Sequence, residues 1–122
     1  LAEMGTMLGS GSIVIMDETR CMVDMMKVIA HFYHHESCGQ CTPCREGTGW
    51  LNKIIHSIKD GNGRLQDIDL MHQVGMQMMG KTICALSDAA ALPATSFIAK
   101  FRDEFEFYVR EGRSKVKGAA HV

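Results

Sequence analysis

The chain has 122 residues, of which 46% are hydrophobic and 22% charged, and its formal net charge is −1. This is the size and composition of one globular domain, and the near-neutral charge gives no indication of a nucleic-acid or membrane-surface partner. No apolar run reaches the roughly 18 residues of a membrane span, and no signal peptide opens the sequence. The odd number of five cysteines argues against an extracellular disulfide framework and favours a metal or cluster site in a reducing compartment.

Residues 1–17 predict a loop that enters a short strand. Gly and Ser residues precede the β-branched run Ile13-Val14-Ile15, which is typical of a strand. One strand does not form a sheet alone, and the first residue is Leu1. We therefore expect the sequence to be a fragment, with the rest of a β domain outside it.

Helical periodicity begins after Asp17. Apolar residues recur there at helical spacing, at Met22, Met25, Met26, Ile29 and Phe32. This predicts a first helix that extends to about His35 and has Asp17 or Thr19 as its N-cap.

Two further helices are predicted in the middle of the chain. Thr42 and Pro43 are typical of an N-cap and a first helical position, and the sequence DGNG at 60–63 ends the second helix. Its apolar stripe comprises Trp50, Leu51, Ile54, Ile55 and Ile58. The third helix is predicted over about 67–79, followed by Gly80. Its inner face is marked by Met71, Val74 and Met78.

The last part of the chain predicts a turn, a helix and a tail. Ser87 or Asp88 can cap a short Ala-rich turn that ends before Pro93. Helical spacing of apolar residues resumes over about 97–111, and the tail at 112–122 is expected to be flexible. The expected fold class is all-α, a four-helix-bundle-like domain of four or five helices preceded by a strand-like leader.

Three cysteines, Cys38, Cys41 and Cys44, form a C-x2-C-x2-C run. Zinc knuckles normally use two cysteines in one C-x2-C pair, so a third thiol two residues further on favours a [4Fe-4S] cluster. In two-cluster bacterial ferredoxins another cysteine follows after three more residues. Thr48 stands at that position here, so a fourth ligand has to come from elsewhere in the chain.

Cys84 is the favoured fourth ligand. It lies in an irregular connection at 81–86, where backbone amides can turn toward cluster sulfurs. Cys21 begins the first helical stripe, where a buried structural thiol is expected, and His35 stands at a helix end and faces its negative pole. These two residues remain the alternatives. The other histidines are interpreted as surface or core residues: His31, His34, His56, His72 and His121.

Residues next to the cysteines also suit a cluster. Gly39 permits a positive φ between two ligands, and Pro43 fixes the turn before Cys44. Cys44 would then lie in the first turn of a helix, where the positive dipole end favours a thiolate. Arg45 either offsets the charge of the cluster or is a solvated surface residue, and Glu46 matches the helix dipole.

The sequence has no G-x-G-x-x-G unit, no Walker A loop and no evident pairing of a nucleophile with a base. No catalytic residue is therefore assigned. Two alternatives to an electron carrier remain: a structural zinc-binding four-cysteine helical interaction module, and a helical bundle with free thiols.

The stretches HESCGQCTPCREGT and TICAL resemble the C-terminal iron–sulfur domain of the flavoprotein (F) subunit of respiratory complex I, the NADH:quinone oxidoreductase. The same module is similar to the diaphorase subunits of NAD-reducing hydrogenases and formate dehydrogenases. The leader MLGSGSIVIMDE is similar to the stretch that leaves the ubiquitin-like β domain of those proteins. The resemblance covers about residues 7–111, and it implies three parts: 1–17 as the end of the β domain or linker, 18–111 as the helical iron–sulfur domain, and 112–122 as the tail.

The resemblance implies a mechanism and a set of partners. NADH reduces FMN in an N-terminal domain, and single electrons then pass to one [4Fe-4S] cluster held by Cys38, Cys41, Cys44 and Cys84. The next acceptors are clusters of the thioredoxin-like subunit and of the large iron–sulfur subunit, in a cytoplasmic assembly on the membrane surface. The glycine-rich segment that binds NADH and FMN is missing from this sequence. We therefore do not expect this chain alone to oxidise NADH.

Overall fold

The computed structural model describes residues 1–116, and within them four α-helices form an all-α domain. A single 3-10 turn at Ala2–Met4 precedes α1 (Met22–Glu36), α2 (Thr42–Lys59), α3 (Leu65–Met78) and α4 (Leu86–Glu111). Each helix packs against the next one, and α4 also packs against α1 and α2. The predicted all-α class is confirmed.

The core consists of apolar stripes that the helical spacing brings to one side of each helix. Its fully buried large side chains are Val23, Met26, Leu51, Ile55, Ile58, Ile68, Met71, Met78 and Phe105. Three of these are methionines, as expected if this residue fills helical cores. Trp50 was predicted on the inner stripe of α2, but it is 51% exposed, because it lies at the edge of that stripe beside the groove to α3.

The strand predicted in the leader is not observed, so this prediction is wrong. No strand occurs in residues 1–116, and the run Ile13-Val14-Ile15 has irregular backbone with 86%, 68% and 91% of each residue exposed. A strand needs a neighbour to satisfy its backbone hydrogen bonds. No neighbouring strand is present in this part of the chain.

The N-terminus of α1 has a different cap from the one predicted. Asp17 accepts hydrogen bonds from the backbone and hydroxyl of Thr19, at 3.0 and 2.6 Å, in a turn before the helix. Cys21 is the N-cap and makes no capping bond through its side chain. Glu104 of α4 accepts the backbone N–H of Met22 at 3.0 Å instead. The cap therefore comes from the tertiary structure.

The starts of α2 and α3 are shifted from the predicted positions. Cys41, not Thr42, is the N-cap of α2, and Pro43 lies in its first turn. The third helix begins at Leu65, where Asp67 in the first turn accepts hydrogen bonds from the backbone and guanidinium of Arg64, the N-cap. In that cap the backbone N–H of Arg64 donates to Asp67 Oδ2 at 2.8 Å.

Helix α4 runs through Pro93, where the sequence predicted a break. Its residues before and after Pro93 are buried at helical spacing, namely Ala90, Ala91, Ala94 and Ile98. The free energy gained by burying the apolar residues on both sides of Pro93 outweighs the loss of the one backbone hydrogen bond that proline removes. The non-helical backbone occurs instead at Phe101, with φ −124° and ψ 30°. In the predicted tail, Ser114 is buried and Lys115 pairs with Asp103, whereas 117–122, including His121, lies outside the described residues.

Candidate metal centre

The loop between α1 and α2 carries the three clustered cysteines. It leaves α1 at Ser37, whose backbone is extended, and it turns at Gly39, where φ is +81°. The predicted positive φ at this glycine is confirmed. Cys38 is exposed, Cys41 is half-buried, and Cys44 is buried in the first turn of α2. The three sulfurs are thus distributed from the surface to the edge of the core.

A serine that the sequence analysis did not single out contacts the innermost sulfur. Ser37 Oγ lies 3.3 Å from Cys44 Sγ, and the backbone N–H of Gly39 donates to Ser37 Oγ at 3.4 Å. The sequence feature that could have identified Ser37 is its position, immediately before the first cysteine and at the end of a helix. Hydroxyl side chains at such positions bond to nearby backbone groups.

Arg45 is bonded to the cysteine loop, although about half of its side chain (47%) is exposed. Its guanidinium donates to the carbonyl oxygen of Gly39 at 2.7 Å, to Thr42 Oγ1 at 3.4 Å and to Glu46 Oε1 at 3.1 Å. The contact with Gly39 holds the loop against the first turn of α2. Arg45 is thus a surface residue, as one of its two interpretations held, and it is also bonded to the loop.

The N-terminus of α2 is suited to negative charge. Its N-cap, Cys41, makes no capping bond through its side chain, so the amides of the first turn are not satisfied by a cap. Such amides and the helix dipole favour thiolates. Thr48 supports this turn from inside, because its buried hydroxyl donates to the carbonyl oxygen of Cys44 at 2.7 Å.

Cys84 lies in the connection between α3 and α4, and its side chain is exposed. Thr82 donates its hydroxyl to the carbonyl oxygen of Cys84 at 2.8 Å. The base of this connection is closed by two bonds. Gly80 N–H donates to Asp88 Oδ1 at 2.8 Å, and Ser87 Oγ donates to the carbonyl oxygen of Met78 at 3.2 Å. Ser87 and Asp88 thus bind this connection and do not cap the helix through a first-turn amide.

The connection starts beside the N-terminus of α2. Thr42, Pro43 and Lys81 line the same cavity of about 300 Å³. Gly47 of α2 also lies directly against Met78, the last residue of α3. Cys84 therefore belongs to a segment that begins at the same end of the bundle as the three-cysteine loop.

The two alternative ligands lie in different surroundings. Cys21 is buried in the core at the start of α1. The 15 residues of α1 span about 22 Å at 1.5 Å per residue, which separates Cys21 from the loop at the other end of that helix. His35 is in the last turn of α1 with 77% of its side chain exposed, and its Nδ1 lies 3.2 Å from Glu36 Oε1.

All five cysteines are free, and no group of three potential ligand side chains in residues 1–116 is close enough to hold a single metal ion. The potential ligand atoms at the loop are sulfurs, and that of Cys44 contacts the Ser37 hydroxyl. The amide of Gly39 and the guanidinium of Arg45 bond to other atoms of the same loop. Soft thiolates suit iron–sulfur clusters or zinc, and hydrogen bonds to sulfur are typical of cluster sites. The residues present therefore fit an iron–sulfur group.

A four-helix domain with a cysteine loop at one helix N-terminus defines the class of small helical iron–sulfur-binding domains. Comparison with known families agrees with this assignment. The family model described as "NADH-ubiquinone oxidoreductase-F iron-sulfur binding region" matches residues 24–108. Because this match covers more than half of the chain, the chain belongs to that family.

Similar proteins are named as the F subunit of NADH-quinone oxidoreductase. The chain is 47% identical to the protein of Mycobacterium bovis over 108 residues, which is 88% of the chain and 24% of that protein. It is 42% identical to one of two such proteins of Rhizobium meliloti over 111 residues, or 91% of the chain and 26% of that protein. The Rickettsia typhi protein is 44% identical over 106 residues, or 87% and 25%. The chain thus spans about a quarter of the length of these relatives.

Membership of this family implies that the chain binds an iron–sulfur cluster. The family predicted from the sequence is confirmed. Among the helices of residues 1–116, none is both long enough and apolar enough to cross a membrane.

Proposed function

We propose that this chain is the electron-transfer domain of an NADH dehydrogenase flavoprotein and that it holds one [4Fe-4S] cluster. The observation that carries the proposal is the cysteine loop at the N-terminus of α2, in a chain that belongs to an iron–sulfur binding family. The ligands we propose are Cys38, Cys41, Cys44 and Cys84. We assign the domain to 18–111.

The geometry supports this ligand set in two ways. The loop that turns at Gly39 carries Cys38 and Cys41, and Cys44 follows in the first turn of α2. The segment with Cys84 begins at the same end of the bundle. Cys21 lies about one helix length away. Cys84 is therefore better placed than Cys21 to complete the set.

The chain's own residues hold and shape the site. The amides at the start of α2 and the Arg45 guanidinium place positive charge beside the thiolates, which offsets their negative charge. Thr48 and Arg45 fix the backbone of the first turn and of the loop. When bound, an iron–sulfur cluster supplies a carrier for single electrons.

The wider pathway that we propose is the one that the family resemblance implies, and the names of the relatives support its NADH and quinone ends. We propose that the electrons come from FMN reduced by NADH, both bound by a part of the flavoprotein that is not in this sequence. The acceptors are clusters in the thioredoxin-like and the large iron–sulfur subunits of a cytoplasmic, membrane-peripheral assembly. The relatives are about four times longer than the matched region, which leaves room for such a flavin-binding part.

The test is anaerobic purification of the chain, with analysis of iron, zinc and acid-labile sulfide and an EPR spectrum after dithionite reduction. Four irons and four sulfides per chain, with the signal of a reduced cluster, are expected. Cys41→Ala and Cys84→Ala are each expected to abolish or convert that signal. The matched control Cys21→Ala is expected to keep it, because that thiol belongs to the core.

Two results would overturn the proposal. A full [4Fe-4S] signal in Cys84→Ala, or its loss in Cys21→Ala at unchanged folding, would show that the fourth ligand is wrong. One zinc per chain, with no sulfide and no EPR signal after reconstitution, would establish the alternative of a structural zinc-binding interaction module, for which an all-thiolate ligand set is also suited.

A further inference from the structure

We propose that Ser37 tunes the reduction potential of the cluster by donating its hydroxyl proton to the sulfur of Cys44. This inference rests on the proposed function, because it concerns a cluster bound by Cys44. Ser37 would be a positioning residue, since it acts on the cluster through a ligand. The inference follows from its place in the chain, the direction of its proton and the burial of the sulfur.

The position of Ser37 is fixed by the end of α1. Its backbone N–H donates to the carbonyl oxygen of Tyr33 at 3.0 Å, which is the last hydrogen bond of that helix. Its φ of −61° and ψ of 126° turn the chain out of the helix and into the cysteine loop. The hydroxyl therefore sits on a helix end, and it does not depend on the loop alone for its place.

The Ser37 hydroxyl has one proton and two lone pairs, and its neighbours limit where that proton can point. The backbone N–H of Gly39 has only a proton to give, so Ser37 Oγ is the acceptor in their 3.4 Å contact. The hydroxyl proton remains available for the other neighbour, Cys44 Sγ, at 3.3 Å. A thiolate can only accept, and the hydroxyl is then the donor.

A hydrogen-bond donor has its largest effect at Cys44, because the sulfur of Cys44 is the most buried of the three. Cys44 is 7% exposed, whereas Cys38 is exposed and Cys41 is half-buried. Water can hydrogen-bond to the sulfurs of the two outer cysteines, but it has little access to the sulfur of Cys44. In such a low-dielectric position a hydrogen bond to a charged group is strengthened. Ser37 thus supplies the donor that solvent does not.

The expected effect is on a one-electron equilibrium. One electron enters from a reductant, which is reduced flavin in the proposed pathway and dithionite in the test. No covalent bond forms or breaks, and Ser37 keeps its proton. The reduced state has one more negative charge, part of which lies on the thiolate sulfurs, so a donor to sulfur stabilises that state and raises the potential.

The test compares two variants of the same shape, Ser37→Thr and Ser37→Val, which differ by a hydroxyl in place of a methyl group. Redox titration of the cluster-loaded chain, followed by EPR, gives the midpoint potential of each. Ser37→Thr is expected to stay close to the original chain. Ser37→Val is expected to be more negative, with a reduced-to-oxidised ratio about tenfold lower at a given potential, which is 59 mV for a one-electron couple.

A control and a second measurement separate this inference from the proposed function. Ser96→Ala removes a hydroxyl that bonds only within α4, to the carbonyl oxygen of Pro93 at 3.5 Å, and it is expected to leave the potential unchanged. In the original chain, ENDOR after exchange into D2O is expected to show an exchangeable proton coupled to the cluster that is lost in Ser37→Val. Even if Ser37→Val binds no cluster, the absence of that coupling from the original chain would overturn the inference.

The outcomes are distinct. Full iron and sulfide content with equal potentials in Ser37→Thr and Ser37→Val would refute the role of Ser37 and leave the proposed function intact. No cluster in the original chain would refute both.

Discussion

Gly47 of α2 lies so close to Met78 of α3 that a Cβ at position 47 would be 2.6 Å from both Cγ and Sδ of Met78. This contact joins the helix that begins at the cysteine loop to the residue that precedes the connection with Cys84. The absence of a side chain at Gly47 therefore sets the spacing between the two cysteine-bearing segments. That relationship leads to the first prediction.

We expect Gly47→Ala to destabilise the chain by about 1–3 kcal/mol, because an added methyl group in a packed helix interface forces its neighbours to shift. Urea denaturation followed by circular dichroism measures the change. The matched control is Gly49→Ala, where the nearest heavy atom would be 3.5 Å from the new Cβ, on His34. There the gain in helix propensity, up to about 1 kcal/mol, should leave stability equal or raised.

The origin of the Gly47 effect can be checked in a double variant. If the contact with Met78 is the cause, Gly47→Ala should be less harmful in a Met78→Ala background than in the original chain. Equal effects in both backgrounds would show that the close approach is not what excludes a side chain at Gly47.

Arg45 is expected to slow the loss of iron from the loaded site. Its bond to the carbonyl oxygen of Gly39, at 2.7 Å, holds the loop with Cys38 and Cys41 against α2. A hydrogen bond from a charged group is worth about 1.5–3 kcal/mol, and partial exposure of Arg45 lowers that contribution. We expect Arg45→Ala to release iron to a chelator about tenfold faster.

The control for this experiment is Arg110→Ala, which removes an exposed arginine that pairs only loosely, at 3.9 Å, with Glu106. Its iron-release rate should match that of the original chain. An unchanged rate in Arg45→Ala would show that the loop is held without the guanidinium.

Asp24 of α1 and Lys59 of α2 form a buried ion pair, with 5% and 8% of their side chains exposed. The ammonium also lies 5.0 Å from the centre of the Tyr108 ring. Burial acts to lower the pKa of Lys59, but hydrogen bonds to Asp24 and Tyr108 outweigh it and raise the pKa above its usual value. Lys59 is therefore charged at neutral pH. The stability that comes from this charge is lost as the pH rises through the raised pKa.

Removing one member of this pair should destabilise the chain by about 3–5 kcal/mol, because the other charge is left buried without its partner. Asp24→Leu and Lys59→Met together should be less harmful than the sum of the two single changes. Urea denaturation of all four chains completes the cycle. The same cycle on the exposed pair Asp103 and Lys115 is the control, and its coupling free energy should be below about 1 kcal/mol. An equally small coupling free energy for Asp24 and Lys59 would contradict the prediction.

Asp67 links the stability of α3 to pH. Its burial tends to raise its pKa, but hydrogen bonds from the backbone and guanidinium of Arg64 outweigh this, and the pKa is lowered. A lowered pKa in the folded chain means that the carboxylate stabilises the fold above its unfolded pKa of about 4. This contribution is lost as the pH falls through the folded value.

We therefore expect Asp67→Asn to be less stable than the original chain by about 1 kcal/mol above pH 5, the usual range for loss of a helix cap. The difference should shrink as the pH is lowered below 4. Thermal unfolding across this pH range measures it, with Asp60→Asn as a control for an exposed carboxyl group at the end of α2. A difference that is independent of pH would exclude the charged cap as its cause.

Much of the helical structure was predictable because it depends on local spacing. The stripes that begin at Met22 and Trp50 predicted α1 and α2 to within a few residues, although Trp50 itself is half exposed, and DGNG at 60–63 marked the end of α2. Positive φ at Gly39 was also predictable, since only the position between two cysteines and the residue type were needed. The family could be recognised from the stretches HESCGQCTPCREGT and TICAL, together with the leader MLGSGSIVIMDE.

Other features depended on partners distant in the chain. The cap of α1 comes from Glu104, which is 82 residues away from Met22. Pro93 does not end a helix, because residues on both sides of it are buried against the other helices. Rules based on local sequence do not include these contacts. They therefore predicted the wrong cap for α1 and a helix break at Pro93.

By itself, the sequence determined the class of fold and the family, and it predicted the thiols that we propose as cluster ligands, because helical spacing and cysteine spacing are local properties of the chain. The tertiary structure decided which groups surround those thiols. Ser37 contacts Cys44 and Arg45 binds Gly39 because the loop after α1 turns back onto the first turn of α2. The segment with Cys84 begins at the same end of the bundle because α2 and α3 pack closely at Gly47. Distances between such segments arise from packing of the whole core, which no single stretch of sequence specifies.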